Sequence, residues 1–262
     1  MTPRAKLAEA VRPFGPGGKL LPEHIAPFDA LADALGLPRD GAVDAPSGGP
    51  RLGLTEQDFA DVARSLGCEP AQIRAVWEVE SGGGWFTDVR ADILALDGPG
   101  GFLDGPHLPK ILFEAHIFDR ETGGRYRASH PNLSSRTWNR ALYVGGQGEY
   151  ARLYRAMQLD REATLRSASV GGAQIMGFNH KLAGFDTVEA FWQAMRASER
   201  AHLDAFAAFI RNSGLLGALR KISVYHDDCK PFARGYNGAG YWRHDPPYNV
   251  RIARAYKKWK AA

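Results

Sequence analysis

Cysteine is scarce in this chain of 262 residues, which contains only Cys68 and Cys229. The two cysteines are far apart and form no C-x-x-C pair, so neither a disulfide framework nor a cysteine zinc site is supported. We expect two reduced thiols, with one long-range disulfide as the alternative. A cysteine amidase is not indicated either, because Cys68 follows a predicted helix end, where the helix dipole does not lower a thiol pKa.

Long apolar runs and nucleotide motifs are also missing. No stretch approaches the roughly 20 apolar residues of a membrane-spanning helix, and no apolar core of an export signal precedes Pro13. The chain contains no H-E-x-x-H, phosphate-binding loop or dinucleotide fingerprint, so we expect no metal, no cofactor and no nucleotide chemistry. The net charge of +4 suits an anionic partner such as cell wall, lipopolysaccharide or nucleic acid, and of these we expect no nucleic acid.

The composition divides the chain near residue 50. Residues 1–50 combine a short helical pattern with a stretch rich in Pro, Gly, Asp and Ala over 38–50, so we predict a small helical N-terminal appendage and a linker. Residues 51–262 are predicted to form the main domain. That domain is expected to be mainly α, with a small β and loop region over 82–110.

Capping and breaking residues predict individual helices of the main domain. Thr55 and Asp58 form a capping-box pattern that begins one helix, and Pro70 suits the first turn of the next. One long helix is predicted over 187–212. The apolar pattern over 110–120 leaves helix and strand undecided.

Glu80 is the residue best suited to acid catalysis. On a helical projection Ile73, Val76 and Trp77 form an apolar stripe that contains Glu80, whereas Glu78 lies on the other side. Burial and the negative end of the helix dipole both disfavour an ionised carboxylate, so we expect a raised pKa. Such a group can protonate a glycosidic oxygen near neutral pH. The alternative is that Glu80 caps its helix end in solvent.

Three segments of the chain resemble, in the same order, the motifs of lytic transglycosylases and goose-type lysozymes. They are Glu80 with Ser81, the glycine-rich segment 169–176, and the segment 233–240 with Tyr248 beyond it. A closer resemblance, over about residues 52–262, is to the phage-type N-acetylmuramidase domain of modular endolysins. It adds the segment 109–118, which reads Pro-Lys-Ile-Leu-Phe-Glu-Ala-His-Ile-Phe. The chain departs from this family at Val170, Gly172 and Ala173, which puts the depth of one sugar subsite in doubt.

The resemblance implies a lysozyme-like fold that hydrolyses the β-1,4 bond between N-acetylmuramic acid and N-acetylglucosamine, with Glu80 as general acid. The residues implied in substrate binding are Ser81, Glu114, His116, Gln174, Met176, Tyr236 and Asn237. Amides suit the N-acetyl and hydroxyl groups, and Tyr236 can stack on a sugar ring while its hydroxyl reaches Glu80 or the sugar. Alternatively, Tyr236 belongs to the core, and Lys110 and Glu114 form a helical ion pair.

A glycosidase of this kind needs a second carboxylate, and nothing in the sequence selects one. The candidates are Asp88, Asp92, Asp97, Asp104, Glu114 and Asp119. Without a second carboxylate, a lytic transglycosylase is the alternative, in which the muramic acid 6-hydroxyl attacks and leaves a 1,6-anhydro product. A non-catalytic wall-binding or phage structural protein is a further alternative.

The resemblance also implies a bacteriolytic endolysin, which we expect to be a monomer. We expect synthesis in the host cytoplasm without a signal peptide, release to the wall by a holin, and peptidoglycan binding by residues 1–50. The basic segment 250–260 is typical of a helix that attaches to an anionic outer membrane or lipopolysaccharide. The preferred interpretation is that it packs Ile252, Tyr256 and Trp259 on the domain and leaves a solvated basic face.

Overall fold

The structure, a computed structural model, describes residues 53–81, 84–97 and 107–261. The appendage and linker predicted over residues 1–50 lie outside the described residues. Helices dominate the described part of the chain, which confirms the mainly α prediction. None of the helices in these ranges combines the length and apolar character needed to cross a membrane.

The described chain contains helices of 4 to 14 residues and strands of two or three. The helices are α1 (Glu56–Leu66), α2 (Pro70–Ser81), α3 (Ala91–Leu94), α4 (Ala115–Glu121), α5 (Gly148–Met157), α6 (Arg161–Arg166), α7 (Val188–Ala197), α8 (Glu199–Asn212), α9 (Leu216–Leu219), α10 (Lys230–Tyr236) and α11 (Tyr248–Lys260). The strands are β1 (Phe86–Asp88), β2 (His107–Pro109), β3 (Ile111–Phe113), β4 (Ala168–Val170) and β5 (Ile175–Met176).

Local sequence signals begin α1 and α2 as predicted. The Thr55 hydroxyl accepts a hydrogen bond from the Asp58 N–H, and the Asp58 carboxylate accepts one from the Thr55 N–H, which completes the capping box. Gly67 ends α1 in the left-handed conformation, with a φ of 60°. Pro70 is the first residue of α2.

The single helix predicted over 187–212 is wrong, because Ser198 divides it into α7 and α8. Ser198 is extended, with φ −167° and ψ 157°, and its hydroxyl accepts a hydrogen bond from the Ala201 N–H. Serine favours a helix N-cap over a helix interior for this reason. Both helices bury their apolar sides in the core, so the hydrophobic pattern continues across the break.

The undecided segment 110–120 forms strand β3 followed by helix α4. Strand β3 pairs antiparallel with β4, which pairs with β5, and β1 pairs separately with β2. Ile111 and Phe113 are buried at the alternate positions typical of a strand. Lys110 and Glu114 therefore lie on either side of a strand, and the helical ion-pair interpretation is wrong.

Helix α11 packs along α2, the helix that carries Glu80. Ile252 and Tyr256 are buried in the core. Lys258 and the Trp259 indole donate hydrogen bonds to Glu78, each at 2.8 Å. Lys260 pairs with Glu69, which lies in the loop between α1 and α2. Helix α11 thus packs on the domain and forms part of the surroundings of Glu80.

Candidate active site

Glu80 lies on the inward side of α2, one turn after Trp77. Ile73, Val76 and Trp77 are all buried, Glu78 is exposed and Glu80 is partly buried, as the helical projection predicts. The carboxyl group is therefore largely removed from water without being sealed off. This environment suits a group that must exchange protons with a substrate.

Two residues of α11 contact the end of α2 at Glu80. Tyr248, the first residue of α11, donates its hydroxyl hydrogen to Glu80 Oε1. The Arg251 guanidinium lies one turn further along and donates to the Val79 carbonyl oxygen at 3.0 Å. The last helix of the described chain thus supplies a hydrogen-bond donor and a positive charge to this carboxyl group.

The pKa of Glu80 is raised to about 7, as we expected from its position. Burial is the largest cause, because it removes water from the ionised form. The Tyr248 hydrogen bond and the Arg251 charge act in the opposite direction and reduce the shift. Glu80 consequently holds a proton through most of the acidic range and can release it near neutral pH.

The turn between β4 and β5 packs against the same part of α2. Gly172 faces the rings of Trp77 and Trp85, and a Cβ there would lie 2.9 Å from the nearest Trp77 ring atom and 3.1 Å from Trp85. A larger residue therefore does not fit at position 172 without movement of a tryptophan. The departure from the family pattern at this position has a steric reason in the packing of this chain.

His202 of α8 holds this turn through a hydrogen bond to its backbone. Its Nδ1 accepts the Gly172 N–H at 3.1 Å, and its Nε2 donates to the Met195 carbonyl oxygen. Burial lowers the pKa of His202 to about 4, so the ring is neutral under ordinary conditions. A neutral imidazole with one donor and one acceptor matches these two partners.

Tyr236 and Gln174 make contacts within the protein that differ from the expected ones. The Tyr236 hydroxyl donates to the Ala173 carbonyl oxygen at 2.8 Å, and its ring stacks on Phe232. The expected hydrogen bond to Glu80 comes from Tyr248 instead. The Gln174 amide donates to the Gly171 carbonyl oxygen at 2.7 Å and accepts from the Ser169 hydroxyl at 2.9 Å. Both side chains therefore hold the turn of the sheet.

Glu114 belongs to a second polar cluster, located where β3 leads into α4. The Tyr143 hydroxyl donates to Glu114 Oε2, and His116 Nδ1 lies 3.2 Å from the same oxygen. The Glu114 side chain is 15% exposed. It lines a cavity of about 400 Å³ together with Leu112, Trp138, Arg140, Tyr143, Val144 and Gly145. Glu114 is thus a partly buried carboxylate at the wall of a cavity.

The other candidates for a second carboxylate have different surroundings. Asp88 is exposed beside His107, and Asp92 is exposed in an ion pair with Arg90. Asp119 is buried and accepts hydrogen bonds from Arg127 and Ser134. Neither the Asp97 side chain nor Asp104 falls within the described residues.

The remaining predicted binding residues are spread over three elements. Asn237 follows α10, is exposed, and lies 3.1 Å from His244 through its Oδ1 atom. Met176 is partly buried opposite Ser169 in the sheet. Ser81 is the last residue of α2, and its side chain lies outside the described part of the structure.

Several side chains that shape these two clusters follow no pattern in the sequence. Arg251 and Tyr143 follow no recognisable motif, and a lone buried histidine such as His202 gives no pattern. Tyr248 was noted only as the residue beyond the third motif. Its position at the start of an amphipathic helix is the one signal that indicated an inward-facing hydroxyl.

Cys68 and Cys229 are both free cysteines in the structure, and their reduced state stays a prediction. Cys229 is buried, and burial raises the pKa of the Cys68 thiol to about 11. Such a thiol is mostly protonated at neutral pH and is a poor nucleophile. Within the described ranges, no group of three or more His, Cys, Asp or Glu side chains is placed to hold a metal ion.

Comparison with known proteins agrees with this geometry. Residues 69–260 match the family model of N-acetylmuramidase. The chain is also similar to the crystal structure of the Burkholderia AP3 phage endolysin, with a TM-score of 0.65 and 30% identity over 99% of this chain and 86% of that one. No curated protein matches. The matched family region includes Glu80, Glu114 and Tyr248, and the chain belongs to the N-acetylmuramidase family of peptidoglycan-degrading glycoside hydrolases.

Proposed function

We propose that Glu80 is the general acid that protonates the glycosidic oxygen between N-acetylmuramic acid and N-acetylglucosamine. The observation that carries this proposal is a partly buried carboxyl group with a pKa of about 7 on the inward side of α2. Because Oε1 accepts the Tyr248 hydroxyl, Oε2 is the oxygen left to carry the proton toward the substrate. Proton transfer from Oε2 lets the leaving sugar depart as a neutral alcohol.

We propose Glu114 as the second carboxylate. Among the described candidates it alone combines partial burial with a place on a cavity wall, whereas Asp88 and Asp92 are exposed and Asp119 is bound by Arg127. A second carboxylate acts as a nucleophile toward the anomeric carbon at about 5 Å from the acid, and as a base toward water at roughly 6.5–9.5 Å. The hydrogen bond from Tyr143 orients one of its oxygens.

The residues around these carboxyl groups fall into two roles in this proposal. Asn237 and His116 are accessible enough to bind hydroxyl or N-acetyl groups of the glycan. Met176 of strand β5 and Ser81 at the end of α2 are assigned to substrate binding by their places in the family motifs. Tyr236 and Gln174 act indirectly, because they hold the turn beside Glu80.

Digestion of purified peptidoglycan, followed by mass spectrometry of the soluble fragments, tests the proposal. Hydrolysis gives reducing N-acetylmuramic acid ends, whereas a lytic transglycosylase gives 1,6-anhydro ends. We expect Glu80→Gln and Glu114→Gln to fold and to release no more than about a thousandth of the fragments released by the unchanged protein. Glu162→Gln, an exposed change on α6, is the matched control and should retain full activity. A folded Glu80→Gln protein with near-normal activity would exclude the assignment of the acid.

We further propose that the protein acts as a phage endolysin, released to the cell wall by a holin and active as a monomer, with residues 1–50 contributing to peptidoglycan binding. The support is its 30% identity to the Burkholderia AP3 phage endolysin over almost the whole chain. Any attachment to lipopolysaccharide would depend on Arg254 and Lys257 of α11, since Lys258 and Lys260 form ion pairs with Glu78 and Glu69.

A further inference from the structure

A fully buried carboxylate beside the Glu114 cluster has no part in the proposed chemistry. Glu149 lies in the first turn of α5 and forms an ion pair with the buried Arg152. Its Oε1 accepts the N–H groups of Val144 and Gly145, at 2.8 and 2.9 Å. Its Oε2 accepts the Phe113 N–H at 3.2 Å and the Arg152 guanidinium at 2.7 Å. Four donors thus meet the roughly four acceptor positions of one carboxylate.

The backbone donors belong to the two segments that carry Glu114 and Tyr143. Phe113 immediately precedes Glu114, and Val144 immediately follows Tyr143. One carboxylate therefore ties together the same two segments that the Tyr143 to Glu114 hydrogen bond spans. Arg152 reinforces the connection, because its guanidinium also donates to the Phe113 carbonyl oxygen at 2.9 Å.

A buried ion pair is by itself weak evidence for a role in stability alone. The cost of removing two charges from water offsets much of their attraction, so a buried ion pair often contributes no more to folding than an apolar pair of similar size. Its hydrogen bonds, by contrast, fix the positions of particular backbone atoms. At Glu149 those atoms lie next to the proposed second carboxylate.

We propose that Glu149 is a positioning residue, which holds the segments of Glu114 and Tyr143 at the separation that orients the Glu114 carboxylate for reaction. This inference rests on the proposed role of Glu114. Glu149 itself touches neither substrate nor reacting atoms. Its effect passes through the backbone at Phe113 and Val144 to the Tyr143 hydroxyl, which then reaches Glu114.

Steady-state kinetics on soluble peptidoglycan glycan chains test this role. Glu149→Gln keeps the side-chain shape but replaces one acceptor oxygen with an amino group, so one of the two segments loses its tie. We expect kcat to fall by about 10- to 100-fold and KM to change by less than about twofold, because geometry changes while the binding surface remains. Asp58→Asn is the matched control: it alters another buried, ion-paired carboxylate, and we expect lower thermal stability with unchanged kcat.

A double-mutant cycle with Tyr143→Phe separates positioning from a general loss of stability. If Glu149 acts through the Tyr143 hydrogen bond, the double variant is no slower than Glu149→Gln alone. A double variant whose fold-loss in kcat is the product of the two single losses would overturn the inference. A normal kcat in a folded Glu149→Gln protein would overturn it as well.

Glu149→Asp provides a second variant, because it retains the charge but is too short to reach both segments. It should fold and show the same fall in kcat. Loss of folded protein in both variants would also overturn the inference, since Glu149 would then determine folding and not positioning. Full activity of Glu114→Gln would refute the proposed second carboxylate, whereas an inactive Glu114→Gln with a normal Glu149→Gln would refute only the positioning role.

Discussion

Tyr248 donates its hydroxyl hydrogen to Glu80, a residue 168 positions earlier in the chain. The hydrogen bond favours the ionised carboxylate and so opposes the effect of burial on the pKa of Glu80. The proton affinity of the proposed acid is therefore a balance between its buried place on α2 and a donor from α11. That balance can be changed experimentally from either side.

Tyr248→Phe should raise the pKa of Glu80 further, because it removes the donor and leaves the burial. The alkaline limb of the pH dependence of kcat/KM should then move to higher pH. Tyr256→Phe is the matched control, since it removes a hydroxyl of the same helix that donates to Glu69 instead. An alkaline limb that stays in place in Tyr248→Phe would mean that Glu80 is not the group that titrates.

Thermal stability should depend on pH through Glu80. The pKa of Glu80 is about 7 in the folded protein against 4.5 ordinarily. Its contribution to the free energy of unfolding is therefore fully present below pH 4.5 and is lost as the pH rises through 7. Glutamine at this position does not titrate. The melting temperature of Glu80→Gln minus that of the unchanged protein should therefore be larger at pH 8 than at pH 4. Calorimetric melting of both proteins across this range measures the difference, and a constant difference would contradict the expectation.

Gly172→Ala should destabilise the protein and reduce its activity together. The added methyl group would lie 2.9 Å from a Trp77 ring atom, so the turn beside Glu80 or the tryptophan must shift. We expect a loss of about 1 to 3 kcal/mol in unfolding free energy, as is usual for overpacking. Gly217→Ala is the control, since a Cβ there meets nothing within 4 Å, and it should leave both quantities nearly unchanged.

Attachment to lipopolysaccharide, if it occurs through α11, should depend on the exposed Arg254 and Lys257. Exchange of both for alanine should weaken binding to lipopolysaccharide-containing vesicles by roughly thirtyfold, at about 1 kcal/mol for each of the two charges near an anionic surface. Exchange of Lys258 and Lys260 should have a smaller effect, because both already form ion pairs with acidic side chains. If vesicle sedimentation shows equal effects of the two double exchanges, attachment does not depend on the face of α11 that carries Arg254 and Lys257.

The sequence predicted those parts of the fold that depend on neighbouring residues. The capping box at Thr55 and the inward orientation of Glu80 need only helical periodicity and short-range hydrogen bonds. The division at Ser198 was not predicted, because apolar residues continue in helical spacing on both sides of it. The apolar pattern leaves strand β3 undecided for a related reason, since three residues are too few for a period to be recognised.

The surroundings of the site were harder to predict because they join distant segments. The motif containing Tyr236 drew attention to that hydroxyl, yet the one that reaches Glu80 belongs to Tyr248. Which of two nearby tyrosines faces a carboxyl group depends on how α10 and α11 dock, and sequence spacing does not report this. Selection of Glu114 among the acidic candidates likewise needed the exposures and ion pairs of the folded chain.

The packing of α11 on α2 sets an order of events during synthesis. Glu80 leaves the ribosome early, but the hydroxyl and guanidinium groups that adjust its proton affinity belong to the last helix described. A nascent chain that has not yet released α11 carries the proposed acid without these neighbours. The surroundings that set the proton affinity of Glu80 are therefore complete only once Tyr248 and Arg251 have been added and α11 has packed on α2.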